Sequence, residues 1–333
     1  MSKRPDLAIL DLVGVSEGQS FAEAIEASMK AVELADEQGY KRYWFAEHHN
    51  TLNLASNATS LLIDRAASRT SRIRVGSGGI MLPNHAPLQV IEQFGTLTQF
   101  HGDRIDLGLG RAPGTDPLTA QLLGRTSAEP EDFARAVADM QAWASDDTLS
   151  RYRIGAYVAQ GTNVPMWVLG SSLAGAGLAA RLGLPFAVAS HFAPFQYKEA
   201  IALYRREFNA EAPTAQIDEP HVMVGVNVYV AATDQEAERQ FSTLQQAFAA
   251  LGTGKRQLIQ PPAEISALLP APVLERVNGA LAVRAVGSPS TVTNALTRIA
   301  DETHADEFIV SNYFHNPADR YESQRLLAEA WLD

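Results

Sequence analysis

The sequence has no cysteine among its 333 residues. Disulfide bonds, thiolate metal sites and cysteine nucleophiles are therefore excluded. Because disulfides belong mainly to oxidising compartments, we predict a reducing cytoplasm as the location. The start of the chain, MSKRPDLAIL, passes from charged residues straight into a strand-like run. It has neither the apolar stretch nor the cleavage site of a secretory signal, so we expect none.

Long apolar runs, basic tracts and repeats are also missing. No run approaches the roughly 18 uninterrupted apolar residues of a membrane helix, so we expect no membrane partner. Lys and Arg number 27 against 38 Asp and Glu, for a net charge of −11. A chain this acidic, without a basic tract, is not expected to bind nucleic acid. Any phosphate that it binds must be small and held locally.

What the sequence does contain is a regular alternation of short β-rich runs with amphipathic segments. This alternation indicates parallel strands joined by crossover helices. We predict strands at 7–12, 42–47, 73–82, 104–110, 165–171, 185–190, 221–232 and 307–312. Eight strands without a break in composition favour one closed (β/α)8 TIM barrel, a single domain over 1–333, rather than an open doubly wound sheet. Residues 252–285 break the rhythm, and we interpret them as an insertion or lid before the last strand.

Helix ends are marked by short polar signals. Ser20 with Glu23 and Thr233 with Glu236 have the spacing of a capping box, and Asn57 is a further candidate N-cap. These signals place helices directly after predicted strands, as a barrel requires.

Polar and glycine-rich clusters follow five successive strands. In a (β/α)8 barrel the loops after the strands converge on one mouth, where the chemistry of the fold takes place. We therefore expect these clusters to lie together at the mouth. They are EHHN (47–50), GSGG (76–79), GLGRAPG (108–114), GSS (170–172) and SHF (190–192).

The EHHN cluster offers one histidine to the mouth. In an extended chain Glu47 and His49 share one side and His48 points to the other, so the two histidines do not easily bind one metal ion. No cysteine or H-E-x-x-H pattern is present, and we predict no metal site. His48 instead suits proton transfer or hydrogen bonding near neutral pH. The alternative is a hydrogen-bonded strand end without function.

The clusters after strands four and five suggest an anion site. GLGRAPG misses the dinucleotide pattern G-x-G-x-x-G by one residue, but glycines such as Gly110 let backbone approach a flat ligand. Arg111 could bind an anion or simply form a surface ion pair. Gly170, Ser171 and Ser172 lie where a helix begins, so hydroxyl groups, N–H groups and the helix dipole could bind a phosphate monoester. A plain N-cap would use only one of the serines.

The remaining glycine pair, Gly78 and Gly79, leaves strand three. It is either a bulge or a place where backbone lies against an aromatic ring. A flat approach surface, a phosphate site, an arginine and a histidine on one rim together indicate a phosphorylated planar cofactor such as FMN.

Several segments resemble a known family. YWFAEHHN, RVGSGGIMLPNHAPLQVIEQFGTL, GDRIDLGLGRAPGTD, LGSSLAGAGLAARLGLPFAVASHFAP and VMVGVNVYVAATDQEA are similar to the bacterial luciferase-like flavin-dependent monooxygenases, in particular the single-subunit oxidoreductases of luciferase family group 1. The resemblance runs from about Leu7 to the C-terminal helix. It implies a (β/α)8 barrel that takes reduced FMN at its mouth and uses O2 to oxidise a small organic substrate. It also implies a homodimer.

By that resemblance, His48 matches the catalytic histidine of the E-H-H motif. Gly78 and Gly79 match a dipeptide that supports the flavin ring and that in relatives contains a cis peptide bond. Arg111 matches an arginine that contacts the cofactor phosphate.

The sequence matches the family's phosphate loop and departs from its pattern at two other positions. Ser171 and Ser172 match the phosphate loop, with Gly170 before them. Luciferases have a reactive cysteine where this sequence has Gly110, and a threonine where it has Gly175. Light emission and aldehyde specificity are therefore not implied.

Three functional hypotheses remain at this stage. No second nucleotide-binding fold is visible for NAD(P)H, so the first is a monooxygenase whose FMNH2 comes from a separate flavin reductase. The second is a reductase of the same superfamily that uses a deazaflavin for hydride transfer without oxygen. The third is a barrel that binds flavin without catalysis.

Overall fold

The structure is a computed structural model, and it describes residues 4–146 and 154–332. The first three residues of the charged N-terminal start lie outside this part. Nine parallel strands form one sheet. They are β1 (Asp6–Asp11), β2 (Arg42–Phe45), β3 (Arg74–Met81), β4 (Ile105–Gly110), β5 (Met166–Gly170), β6 (Phe186–Val188), β7 (Val222–Val230), β8 (Arg284–Gly287) and β9 (Glu307–Ser311).

Eight of these strands close into a barrel. β1 to β7 follow one another in chain order, and β9 lies between β7 and β1 and completes the ring. Every pairing in the ring is parallel. The predicted closed (β/α)8 barrel is confirmed, and the loops after the strands all open at one end.

Helices connect the strands and cover the outside of the barrel. They are α1 (Phe21–Gln38), α2 (Thr59–Ala67), α3 (Pro87–His101), α4 (Pro117–Leu122), α5 (Pro130–Ala144), α6 (Leu173–Leu182), α7 (Tyr197–Glu207), α8 (Asp234–Leu251), α9 (Ile265–Leu268), α10 (Ala271–Ala280), α11 (Pro289–Thr303) and α12 (Pro317–Trp331). In the described ranges, no helix is both long enough and apolar enough to cross a membrane.

Of the three predicted caps, one forms in full, one forms in its N-cap half without the return bond from Glu236, and one is absent. Ser20 and Glu23 make the reciprocal capping box of α1, and the Thr233 hydroxyl accepts the Glu236 N–H at 3.2 Å. The prediction for Asn57 is wrong. The N-cap of α2 is Ala58, without a side-chain bond, because the Asn57 amide turns back and donates to the backbone oxygen of His48 at 2.7 Å.

The predicted insertion at 252–285 is partly ordered into regular structure. Its end contributes to β8, which the sequence did not predict. β7 is long enough to pair with β9 through its first half and with β8 through its second, so β8 lies outside the ring. The segment also contains α9 and α10, whereas Pro261 and Pro262 lie outside any helix. Its function as a lid stays a prediction.

The barrel interior has its own small core. It is formed by Ala8, Leu10, Trp44, Ala46, Trp167, Ala187, Met223 and Ile309. The alternate residues of the same strands pack outward against the helices in a much larger core. Because strand side chains alternate, membership in the interior core shows which residues point into the barrel.

Charged side chains close the barrel at the end opposite the loops after the strands. Arg42, the first residue of β2, lies 2.7 Å from both Asp106 and Glu307. Arg74 binds the other oxygen of Asp106 at 2.7 Å, and His221 lies 3.0 Å from Glu307. Burial alone would raise the pKa of Glu307, but the bonds from Arg42 and His221 outweigh it and lower that pKa to about 2. These ion pairs fill the end of the barrel opposite the mouth, which is called the bottom below.

Candidate active site at the barrel mouth

The predicted site residues lie at the ends of four adjacent strands. β2, β3, β4 and β5 are consecutive neighbours in the ring. His48 follows β2, and Gly78 and Gly79 lie in β3. Gly110 and Gly170 are the last residues of β4 and β5. Arg111, Ser171 and Ser172 come directly after those last two strands. The structure therefore brings the whole predicted set to one side of one mouth.

His48 continues the inward-facing side of β2. Trp44 and Ala46 belong to the interior core, and His48 is the next residue in that alternation. Its backbone is held by Ser56 and Asn57, through bonds of 3.2 and 2.7 Å. Its Nδ1 atom is shielded from solvent and has no partner within the described ranges. Burial lowers the pKa of His48, and the opposing pull of Glu47 does not cancel this, so the ring is neutral at neutral pH.

The Glu47 side chain points to the opposite side of β2 and accepts hydrogen bonds from several neighbouring groups. It is 1% exposed, and one oxygen accepts the Met81 N–H at 2.9 Å. His49 and His85 each place Nε2 2.9 Å from this carboxylate. Burial would raise the pKa of Glu47, but the hydrogen bond and charge of His85 lead a set of bonds that lower it. Glu47 and His49 thus share one side, as the alternation predicts, and tie the ends of β2 and β3 together.

Several glycines of β3 and β4 pack closely against neighbouring strands. A Cβ on Gly79 would lie 2.7 Å from the backbone oxygen of Gly108, and one on Gly108 would lie 2.1 Å from that of Ser77. A Cβ on Gly78 would lie 2.6 Å from Leu10. The Gly78–Gly79 peptide bond is cis. Backbone packing alone therefore requires glycine at positions 79 and 108, whereas a side chain at position 78 would displace Leu10. The contact of Gly78 and Gly79 with a cofactor stays a prediction.

Two polar side chains near the candidate phosphate site, those of Ser171 and Arg111, have hydrogen-bonding capacity that the described residues do not use. Ser172 is the N-cap of α6, and its hydroxyl accepts the Gly175 N–H at 3.3 Å. Ser171 makes no hydrogen bond to any residue that the structure describes. Arg111 donates only to the backbone oxygen of Ala128, at 3.3 Å, and meets no carboxylate in the described part of the chain. One serine caps and the other is spare, which leaves Ser171 and Arg111 available to an anion.

Sequence reasoning missed three residues of the mouth. Val13, after β1, is fully buried with φ 51°, an outlier for a β-branched residue that the sequence does not signal. The contact between His85 and Glu47 was not predicted, because no local sequence pattern shows that the segment after β3 brings His85 next to Glu47. His191 lies in the cluster SHF but was given no function. Its Nδ1 is shielded from solvent and, within the described ranges, has no partner.

Small residues and polar groups lie together at the upper interior of the barrel. Three inward positions at or next to the ends of β2, β4 and β6 are small residues, Ala46, Gly110 and Ala187. The unpaired nitrogen of His48 faces this space, and Ser171 and Arg111 stand on its rim. A planar phosphorylated cofactor fits such a donor set. Among the described residues, no group of three His, Asp or Glu is arranged to hold a metal ion.

Fold and site together define a (β/α)8 barrel with a candidate ligand site at its mouth, next to His48 and one candidate phosphate loop. The chain belongs to the luciferase-like monooxygenase family, whose model matches residues 6–307. It is 42% identical to a luciferase-like monooxygenase of Escherichia coli strain K12 over 323 residues, 96% of this chain and 95% of that protein. It is 30% identical to the N-acetyl-S-alkylcysteine monooxygenase of Bacillus subtilis strain 168 over 335 residues, 98% of each.

Solved structures share the fold over the full length. Apo-MsnO8 superposes with a TM-score of 0.89 at 34% identity and covers 99% of both chains. The oxygenating constituent of a 3,6-diketocamphane monooxygenase from Pseudomonas putida, solved with FMN, gives a TM-score of 0.71 at 19% identity and covers 98% of both chains. An F420-dependent secondary alcohol dehydrogenase gives 0.73 at 13% identity, covering 99% of this chain and all of that one. The last two similarities concern the fold alone.

Proposed function

We propose that this protein is an FMN-dependent monooxygenase that uses reduced FMN and O2 to oxidise a small organic substrate. In that reaction one oxygen atom enters the substrate, the other leaves as water, and FMNH2 is oxidised to FMN by two electrons. The observation that carries the proposal is the position of three polar side chains at the mouth: His48, whose Nδ1 has no partner in the described ranges, Ser171, and Arg111, which meets no carboxylate there and donates to Ala128 alone.

Each residue has a distinct task in this proposal. Arg111 and Ser171 bind the 5′-phosphate, with Ser172, Gly170 and the start of α6 supplying backbone N–H groups. The backbone of Gly78, Gly79 and Gly110 supports the ring system.

In this proposal, His48 lies next to the reacting parts of the bound flavin and substrate. Its neutral imidazole accepts a proton or donates a hydrogen bond there, because burial keeps it uncharged. Reduced FMN, when bound, supplies the electrons for O2. The protein supplies the orientation and a site sheltered from water.

The choice of FMN over a deazaflavin rests on the nearer relatives. The relatives at 42% and 30% identity are monooxygenases, whereas the F420-dependent dehydrogenase is only 13% identical. Oxygen chemistry needs FMN, because a deazaflavin transfers hydride without O2. A deazaflavin reductase is the second candidate. A flavin-binding barrel without catalysis remains a third.

The test is a cofactor titration followed by reaction with oxygen. Quenching of flavin fluorescence should show FMN binding roughly tenfold or more tightly than riboflavin, since charge-assisted bonds hold the phosphate. Ser171→Ala and Arg111→Ala should remove that preference, whereas Ser68→Ala, at the far end of α2, should keep it.

Rapid mixing of the reduced complex with O2 should then separate the candidates. The absorbance course of wild type should differ both from free FMNH2 and from His48→Ala. Tighter binding of deazaflavin than FMN would favour the second candidate. Identical courses for wild type, His48→Ala and free FMNH2 would favour the third.

Further predictions accompany this function. A separate flavin reductase, a homodimer, a cytoplasmic location and a lid at 252–285 follow from the family or the sequence and stay predictions. The lid is supported by contacts that cross the mouth: Ile259 bonds with Val15 and Glu17 after β1, and Arg256 donates to Asn50 after β2 at 2.9 Å.

A further inference from the structure

An open groove lies on the outside of the barrel, between α8 and α11. Its volume is about 520 Å³, which is enough for a small organic molecule. Arg284 and Val286 of β8 form its floor, and α10 contributes Asn278 to its wall. The candidate FMN site lies on β2 to β5, whereas β8 pairs with β7 outside the ring. The groove is therefore a separate feature of the molecule.

The two arginines that line the groove lie at the same end of it. α11 connects β8 to β9, and both strands run parallel to β7, so the helix returns antiparallel to β8. Where the helix begins, a Cβ on Gly287 would lie 2.6 Å from the Thr291 side chain. From Thr291 to Arg298 the helix advances about 10 Å, and from Gly287 back to Arg284 the strand also covers about 10 Å. Arg298 is therefore level with Arg284.

Neither arginine is paired with an acid in the described part of the chain. Nη1 of Arg284 donates to the backbone oxygens of Asn278 and Leu281, at 3.3 and 3.0 Å. The guanidinium carbon lies 5.3 Å from the centroid of the Phe241 ring. These contacts fix the group while its Nε and Nη2 keep donor capacity. Arg298 is exposed and makes no hydrogen bond or ion pair with any described residue.

The groove carries a net positive charge in an acidic protein. Glu238 of α8 is the one acid among its described lining residues, and it pairs with neither arginine. Two cations against one anion stand out in a chain with a net charge of −11. Such a local excess attracts anions, because the guanidinium group offers a planar pair of donors to a phosphate or carboxylate.

The charge count favours a phosphate over a carboxylate. A phosphate monoester carries close to two negative charges at neutral pH and has three acceptor oxygens, so it can match two guanidinium groups at once. Farther along the groove, Thr291 and Asn294 offer a hydroxyl and an amide. Together with the carboxylate of Glu238, these groups suit a ligand body that carries hydroxyl groups.

We propose that this groove binds a small phosphate monoester with a hydroxylated body, whose phosphate lies between Arg284 and Arg298. The site goes beyond the proposed function, because it requires no flavin and lies outside the barrel. A phosphate monoester could also enter the candidate phosphate site at the mouth, next to Arg111. The experiment must therefore separate the two positions.

The experiment uses the full chain with 15N-labelled arginine, without flavin, and three probes that share a carbon skeleton: ribose 5-phosphate, ribonate and ribose. Spectra of the Nε–H groups report Arg284, Arg298 and Arg111 separately, and titration gives a dissociation constant at each position. Ribose 5-phosphate should shift the signals of Arg284 and Arg298 and bind there roughly tenfold more tightly than ribonate. Ribose should shift neither signal.

Three variants test the position of the site. Arg284→Gln and Arg298→Gln should each weaken the binding of ribose 5-phosphate in the groove roughly tenfold, with the remaining arginine as the reporter. Arg111→Ala should leave groove binding unchanged, because it removes only the cation at the mouth. If Arg284→Gln does not fold, Arg298→Gln still decides, since Arg298 has no hydrogen bond to lose.

Arg276→Gln is the matched control. It removes the same charge from an exposed position of α10 that does not line the groove. Its affinity for ribose 5-phosphate should stay within about twofold of wild type, because an exposed charge outside the contact is screened by water and salt.

Three outcomes would overturn the proposal. Ribose or ribonate could bind in the groove as tightly as ribose 5-phosphate, Arg298→Gln could bind it like wild type, or the phosphate could shift Arg111 alone. Failure of the proposed function is a separate result. It would appear as absent FMN binding at the mouth, while the signals of Arg284 and Arg298 remain readable.

Discussion

At the scale of single residues, the histidines of the mouth differ by their neighbours. One carboxylate, that of Glu47, contacts the rings of both His49 and His85. His48 and His191 have no such partner within the described ranges, and both have lowered pKa values because burial penalises the charged ring. Adjacent residues of one motif, EHHN, therefore have opposite environments, since the pleat sends them to opposite sides of β2.

The lowered pKa of His191 makes folding stability depend on pH. The pKa of the His191 ring is about 6.5 in the unfolded chain and about 4 in the folded protein. Between these two pH values the unfolded chain binds a proton at this ring and the folded protein does not. Stability is therefore lost as pH falls through this window. His191→Asn should reduce the loss between pH 7 and pH 5 by on the order of 1–2 kcal/mol, measured by urea unfolding.

Its control is Gln99→Asn, which changes no titrating group and should lose as much stability as wild type over the same interval. Equal losses in all three proteins would show that His191 does not titrate in this way.

At the scale of elements, the segment after α8 is held to the mouth at two points. Ile259 is buried and lies on Gly14, where a Cβ would come within 2.6 Å of its side chain. Arg256 reaches Asn50 at 2.9 Å and Asp116 at 3.8 Å. The first point is buried and firm, whereas the second is exposed and can be broken at little cost.

Breaking the exposed contact should loosen the segment without unfolding the barrel. For Arg256→Ala we expect thermolysin to cut within residues 251–259 about two- to fivefold faster, since an exposed pair is worth up to about 1 kcal/mol. The melting temperature should stay nearly constant. Cleavage is measured by electrophoresis and mass spectrometry.

Arg239→Ala is the matched control, because Arg239 forms an exposed pair with Glu236 within α8. If that control raises cleavage as much as Arg256→Ala, or if neither does, the contact of Arg256 does not hold the segment closed.

At the scale of the whole molecule, the two ends of the barrel have different tasks. The bottom is closed by Arg42 with Asp106 and Glu307, all buried. The mouth ends in small residues and unpaired polar atoms. Charge pairs fill the bottom, whereas polar atoms such as Nδ1 of His48 have no partner at the mouth within the described ranges, and in the proposed function they are available to a ligand.

This division predicts that damage to the bottom affects stability and not binding. Arg42→Met leaves two buried carboxylates with one cation fewer and should cost about 3–5 kcal/mol of unfolding free energy. The FMN dissociation constant, corrected for folded protein, should not change. Chemical denaturation and fluorescence titration measure the two quantities.

The surface variant Arg69→Ala is the control for that loss, since its exposed pair with Glu26 should contribute less than about 1 kcal/mol. A weaker FMN affinity for folded Arg42→Met would contradict the separation of the two ends.

The barrel and the position of most candidate residues were predictable from sequence because both depend on local signals. Hydrophobic alternation marks strands such as β1 and β4, and the capping box at Ser20 marks a helix start. β8 was missed because it is four residues long and exists through its pairing with an overlong β7. The prediction that Asn57 caps α2 was wrong because its side-chain amide donates instead to the backbone oxygen of His48.

The sequence by itself determined that parallel strands alternate with helices, that polar groups follow the strands, and that cysteine chemistry is impossible. These depend on residue types and on periods of two and 3.6 residues along the chain. Only the tertiary structure decided which histidines are paired and which are free. His85 reaches Glu47 and His191 reaches Gly225 because strands distant in sequence become neighbours when the barrel closes, and no local pattern records such contacts.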